Sequence, residues 1–363
     1  MADLAERETT DDTEATPRWR RRLGSLLRWE TMLVLLLLAT IAYGASVSPY
    51  FLEWTNLFFI GLNVGEIAII ALPLTLIIIT GEIDLSVASM LGLTGLCMAE
   101  LFDHGWPIWP AMIAAVLLGG VLGAFNGLLV TRIGLPSLAV TIGTLTLYRG
   151  IAQGVLPTDT ISGFPQGLAS IGVIPIPHTH ISYSVLFFLV LAVVFGIVLH
   201  ATPLGRAIFA IGANQEAAFY SGIRVRRIKF WLFVLSGLMC GFAGVLWTLR
   251  FASARYDSGI GLELFVVTVV LLGGVSIFGG RGTIAGVVLA LLLLGGIQKA
   301  LLLSESISSY WIQIVTGVLL IGSVLGPNLV QRARAARAHS SRQRGVWPSR
   351  PAAQRNPPQE EKA

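Results

Sequence analysis

Apolar runs about as long as a bilayer is thick recur through most of this chain, and they leave it few architectures. They lie at 31–47, 57–79, 84–102, 108–131, 136–156, 183–200, 230–252, 262–279, 283–303 and 310–327. A helix of ~20 residues, rising ~1.5 Å at each, crosses a ~30 Å hydrocarbon core while satisfying its own backbone polar groups. The expected fold is therefore an all-α polytopic membrane protein, a bundle of about ten transmembrane helices. Composition agrees, since 54% of residues are hydrophobic and 12% charged, more apolar surface than a soluble domain can bury. Cys97 and Cys240 both fall inside apolar runs and read as small core residues. His178 and His180 share a loop without further ligands nearby, so no metal site is expected.

Charge sets the orientation. With ten spans, the basic cluster from Arg18 to Arg28, Arg132, the loop from Arg206 to Lys229, Arg281 and the tail with Arg332, Arg334 and Arg337 share one side. The opposite loops, near Glu53, Asp103, 157–182 and 304–309, contain no Lys or Arg. The positive-inside rule then places both termini in the cytoplasm. Arg250 and Arg255, by the outer end of the seventh span, are exceptions. Three parts follow: a cytoplasmic tail at 1–30, a transmembrane domain at 31–330 and a basic cytoplasmic tail at 331–363, solvated or lying on anionic lipid. The first apolar run follows arginines as a secretory leader would. Its long acidic approach instead suggests an uncleaved first span.

The longest polar interruption dense in basic residues is the cytoplasmic loop Ala201–Lys229. Within it, Asn214 is placed to cap a helix, Glu216 falls in the first turn where the dipole favours an anion, and Gly222 ends it. So short a helix, Gln215 to Ser221, is marginal alone in water and needs a support. Either it packs under its own membrane domain or it docks into a partner protein.

Other features are open between structural and functional roles. Gly119, Gly123 and Gly127, and again Gly237 and Gly241, make small-residue stripes suited to close helix packing in lipid. Asn126, beside the first stripe, either bonds across helices or faces a polar pathway. In ITGEIDLSVAS, Gly81 breaks one helix and Asp84 either caps the next or belongs to a broken helix opening into a translocation path. Asn63, Glu66 and Arg149 lie within spans, where ionisable and polar groups face protein or water, and Asn63 and Glu66 share a helix face. Asn63, Glu66, Asp84, Asn126 and Arg149 are the pathway candidates. The glycine-dense Val270–Gly286 contains no GxxxxGK[ST], so the chain carries no evident means of hydrolysing ATP itself.

TGEIDLSVAS, TPLGRAIFAIGANQEAAFYSGI and VLLGGVSIFGGRGTIAG, in this order and separation, resemble the ribose/xylose/galactoside-type permeases of ATP-binding-cassette importers over residues 31–330. The resemblance implies that the segment from Gly205 to Gly222 meets an ATPase subunit. Gly205, Arg206, Gly212, Asn214, Glu216, Ala217 and Gly222 then become coupling residues. It further implies a second permease subunit, identical or related, a pair of ATPase subunits and an extracytoplasmic sugar-binding protein, in a bacterial inner membrane. No cofactor, metal or nucleic acid is implied. Gly81-Glu82 replaces the family's usual two glycines, and Pro73 stands where a flexible residue is usual. With GGVSIFGGRG, these features resemble the rhamnose and autoinducer-2 branch. The function expected is passage of a monosaccharide or related small polyol. The alternative, a stand-alone secondary transporter or channel, requires coupling carboxylates at mid-membrane, for which Glu66 is the one good candidate in the first half. An intramembrane enzyme requires a motif such as HExxH or GxSxG, and neither occurs.

Overall fold

The computed structural model describes residues 18–304, 311, 313–323 and 325. The opening of the expected 1–30 tail, loop residues 305–309 and the 331–363 tail lie outside these described residues. In chain order the elements are α1 (Arg18–Val47), α2 (Trp54–Ile79), α3 (Val87–Asp103), α4 (Ile108–Leu128) running into a π-helical turn (Leu129–Ile133), and α5 (Ser137–Val155). Then come β1 (Ile161–Ser162), α6 (Gln166–Val173), α7 (Tyr183–Ala201), α8 (Pro203–Ala213), α9 (Gln215–Tyr220), α10 (Val225–Phe251) and β2 (Ser253–Ala254). α11 (Leu262–Leu272) and α12 (Ile284–Leu303) follow, with a further apolar helix at Gln313–Ser323, α13. Among the described residues, six helices are long and apolar enough to cross a membrane: α1 from Trp29, α2, α4 with its π turn, α7, α10 and α12.

Burial orders the bundle. The most apolar stretch of α2 is 94% buried and that of α10 67%, against 11% for α1 and 22% for α7. α2 and α10 are therefore the axis, and α1 and α7 lie at the periphery. Between helices in lipid there is no hydrophobic drive, so close backbone approach must supply the packing. The two glycine stripes provide it. A Cβ on Gly123 of α4 would stand 2.2 Å from Phe233 O of α10, and one on Gly237 only 2.0 Å from Gly119 O. α3 meets α10 similarly, where a Cβ on Gly244 would fall 2.5 Å from Leu91 O.

Two expectations change. The apolar run at 262–279 is not one helix: α11 stops at Leu272, after ~16 Å of rise, because Gly274, Gly279 and Gly280 adopt positive φ and turn the chain through 273–283. The loop after α7 holds a second helix, α8. Its start is written in Thr202-Pro203: the threonine hydroxyl accepts from Gly205 N at 3.3 Å, and proline occupies the first turn.

The 157–182 segment is anchored at the end of the bundle where Arg250 lies. β1 pairs antiparallel with β2, Ile161 opposite Ala254, and Gly172 of α6 lies so near the backbone of Arg250 that a Cβ would come within 2.5 Å of its Cα. His180 stacks on Trp54 at 5.5 Å.

Candidate functional site

The three motif segments meet at one point on the arginine-rich side. α2 ends at Ile79 with Thr80 as its C-cap, and Gly81, with φ +82°, turns the chain away. Gly280 N, from the glycine-rich turn, donates to the last α2 carbonyl, Ile79 O, at 2.9 Å. Gly212, at the end of α8, fills the remaining space: a Cβ there would lie 1.8 Å from Ile79 O and 2.4 Å from Gly280 N. Only glycine permits this three-way backbone contact, which joins α8 to the end of the most buried helix.

α9 follows directly. Asn214 is its N-cap, the side-chain oxygen accepting from Ala217 N at 3.0 Å, and Glu216 lies in its first turn. Gly222, at φ +83°, turns the chain toward α10. The support so short a helix needs comes from a small core in which Ala218 packs with Ile211 and Val225. Gln215, Glu216 and Ala217 remain exposed, as do Phe219 and Tyr220, at 65% and 79%. Gly205 sets the corner between α7 and α8, since a Cβ would stand 1.9 Å from Leu199 O. Arg206 is exposed on the same surface. Lys229 of α10 is buried, its ammonium donating to both Glu82 and Gln215. Beside it lies a cavity of about 390 Å³, lined by Glu82, Arg132, Gln215, Arg226 and Lys229 among others.

The interior pathway candidates fall into three separate clusters. Asp84 and Asn126 belong to one. Asp84 Oδ1 accepts from Ser86 N and Ser86 Oγ at 3.0 and 2.6 Å, and Oδ2 accepts from Ser236 Oγ at 3.3 Å. Asn126 donates to Ser86 Oγ at 2.8 Å and accepts from the Tyr148 hydroxyl at 3.0 Å. The cap reading of Asp84 needs adjusting: α3 begins at Val87 behind Ser86, so the carboxylate organises the approach to the helix instead of capping it. Asn63 and Glu66 form the second cluster with Arg250, which bonds Glu66 Oε2 at 3.0 Å, Leu62 O at 2.7 Å and the Asn63 side chain. In the third, Arg149 donates to the carbonyls of Tyr256 and Ser258, both at 2.7 Å. Both exceptions to the charge rule are thus paired with acids, Arg250 with Glu66 and Arg255 with Asp257. Among the described residues, every buried side-chain polar atom has a partner.

Sequence reasoning passed over Ser86, Tyr148, Ser236 and Lys229. Arg250 leaves a signal, together with Arg255, as a cation on the side where none is due.

A helical bundle with six membrane-length apolar helices among the described residues is a polytopic membrane protein, and it presents a braced, exposed short helix on its basic side. Residues 56–324 match the family described as branched-chain amino acid transport system, permease component, and the chain belongs to that family. It is similar to the autoinducer 2 import system permease protein LsrD of Klebsiella pneumoniae, 35% identical over 314 residues, covering 84% of this chain and 92% of the relative. The LsrD proteins of Salmonella typhimurium (35% over 320 residues, 85% and 92%) and Escherichia coli O9:H4 (34% over 307 residues, 82% and 91%) match similarly. No solved structure matches. The chain is therefore a multi-pass permease subunit of an ATP-binding-cassette importer of the bacterial inner membrane, and is not itself the ATPase.

Proposed function

We propose that this permease passes a small polyhydroxylated solute, a monosaccharide or an autoinducer-2-like molecule, and that its ATPase partner drives it through α9. The observation that carries the reading is the glycine junction, where Gly212 fastens the α8–α9 unit to the end of α2. A push on an exposed six-residue helix would otherwise be absorbed locally. Here it reaches the axis of the bundle. Glu216, Ala217 and the ends fixed by Asn214 and Gly222 make the docking helix, while Gly205, Arg206 and Gly212 set its frame.

The six long helices would span the membrane with α3 and α5, the shorter apolar α11 and α13 entering it part-way in a bundle of about ten, and the arginine distribution favours cytoplasmic termini. Two such permeases, identical or related, would pair around a path drawn from Asn63, Glu66, Asp84, Asn126 and Arg149. The anchored 157–182 segment would receive a solute-loaded binding protein. Hydroxyl and amide groups suit a neutral, hydroxyl-rich solute. Glu66 is bound by Arg250 and Asp84 by serines, which leaves neither as the free coupling acid of a secondary transporter. The family is described by branched-chain amino acids. Relatives at 34–35% identity over 82–85% of the chain are described by autoinducer 2, and they favour the hydroxylated solute.

A mild-detergent pull-down of the tagged chain, with mass spectrometry of what accompanies it, tests this. Recovery of a P-loop ATPase and a periplasmic-type binding protein, lost on disrupting Gly205–Gly222, is the expected result. A chain that purifies alone and moves solute in ATP-free liposomes would refute it.

A further inference from the structure

Lys229 is an odd place for a cation. It is the fifth residue of α10 and only 6% exposed, and a buried charge is costly unless it is paired. Stability alone does not call for it, because packed apolar side chains commonly replace a buried ion pair without loss. What the charge adds is a directed link between two segments distant in sequence. The ammonium donates to Gln215, the first residue of α9, and to Glu82, in the extended stretch between α2 and α3. That stretch leads into the interior cluster: Ile83 is held at N by Ser137 Oγ and at O by Thr141 Oγ1, both of α5, and Asp84 holds Ser86, to which Asn126 donates. The cavity of about 390 Å³ alongside leaves the link open space on one flank.

We infer that Lys229 is a positioning residue, a buried ionic strut that carries movement of α9 through Glu82 into the segment organising the Asp84–Asn126 cluster. This rests on the docking of an ATPase at α9 proposed above. The Gly212 junction is a backbone pivot, and Lys229 is the arm that prevents α9 from turning about it without moving the interior.

The test uses the whole transporter in proteoliposomes, comparing Lys229→Met, Gln215→Ala and the exchange Glu82→Lys with Lys229→Glu. In the exchange, the Gln215 amide turns over and donates to the new carboxylate, so the link is rebuilt with reversed polarity. The expected result is that the ATPase still co-purifies with Lys229→Met, while stimulation of hydrolysis by solute-loaded binding protein falls ~10-fold, within the ~5–150-fold range of ordinary coupling energies. The exchange restores most of that stimulation. Gln215→Ala, altering an exposed position, lowers stimulation without lowering the yield of folded protein, and it decides the matter if Lys229→Met does not fold. Wild-type stimulation in both Lys229→Met and Gln215→Ala would overturn the strut. So would parallel loss of assembly and stimulation with no recovery in the exchange, which would make the pair a fold contact only. A wild-type chain that recovers no ATPase would overturn the docking reading and the strut with it, and the pull-down reveals that before any variant is made.

Discussion

Gly212→Ala asks whether the backbone junction is as tight as it looks. The new Cβ would lie 1.8 Å from Ile79 O and 2.4 Å from Gly280 N, whereas ordinary contact begins at 3.4 Å. The first gap must widen by 3.4 − 1.8 = 1.6 Å and the second by 3.4 − 2.4 = 1.0 Å. Neither neighbour is a side chain that can swing away, so α8 must back off the end of α2. Were α8 held in place instead, the methyl would press on both ends of the Gly280 N to Ile79 O bond, 2.9 Å long, and part them. Either route costs ~1–3 kcal/mol, as overpacking or as unpaired backbone groups. Alanine returns up to ~1 kcal/mol of helix propensity, so the net is a loss of about 1 kcal/mol. Thermal unfolding of the purified chain reads the stability, and ATPase stimulation in the reconstituted complex reads the coupling. Both should fall. Gly196→Ala in α7, where a Cβ meets nothing within 4 Å, is the control and should leave stimulation unchanged and stability equal or up to ~1 kcal/mol higher. Wild-type stability and stimulation in Gly212→Ala would refute the junction.

Glu66→Ala strands the Arg250 guanidinium, whose side chain is 10% exposed, and should cost ~3–5 kcal/mol of stability, measured by thermal unfolding. The pair Glu66→Leu with Arg250→Met should regain most of it, since no lone charge remains buried. Asn126→Ala breaks the link from Ser86 to Tyr148 and should change solute flux or affinity in uptake assays while the ATPase still co-purifies. Loss of the ATPase instead would mean that the interior cluster is a docking determinant.

Much of the bundle was legible in the sequence because apolar length and glycine spacing are local properties. The cap, the anion in the first turn and the stop of α9 could be read from Asn214, Glu216 and Gly222 for the same reason. α11 was misjudged because hydropathy does not register φ, and the positive-φ glycines after Leu272 end a run that otherwise reads as continuous. α8 was overlooked although Thr202-Pro203 announces it. The acidic partners of Lys229 and Arg250 lie 147 and 184 residues away, beyond any periodicity, so only the folded chain brings them together.

The most direct measurement is solute uptake by proteoliposomes holding this permease with its ATPase and binding protein, with and without ATP inside the compartment that the ATPase faces. The expected result is uptake that requires ATP and is abolished by Glu216→Lys, while the variant chain still inserts and folds. Uptake that proceeds without ATP, or that continues unchanged in Glu216→Lys, would contradict the assignment of α9 as the point where the ATPase drives transport.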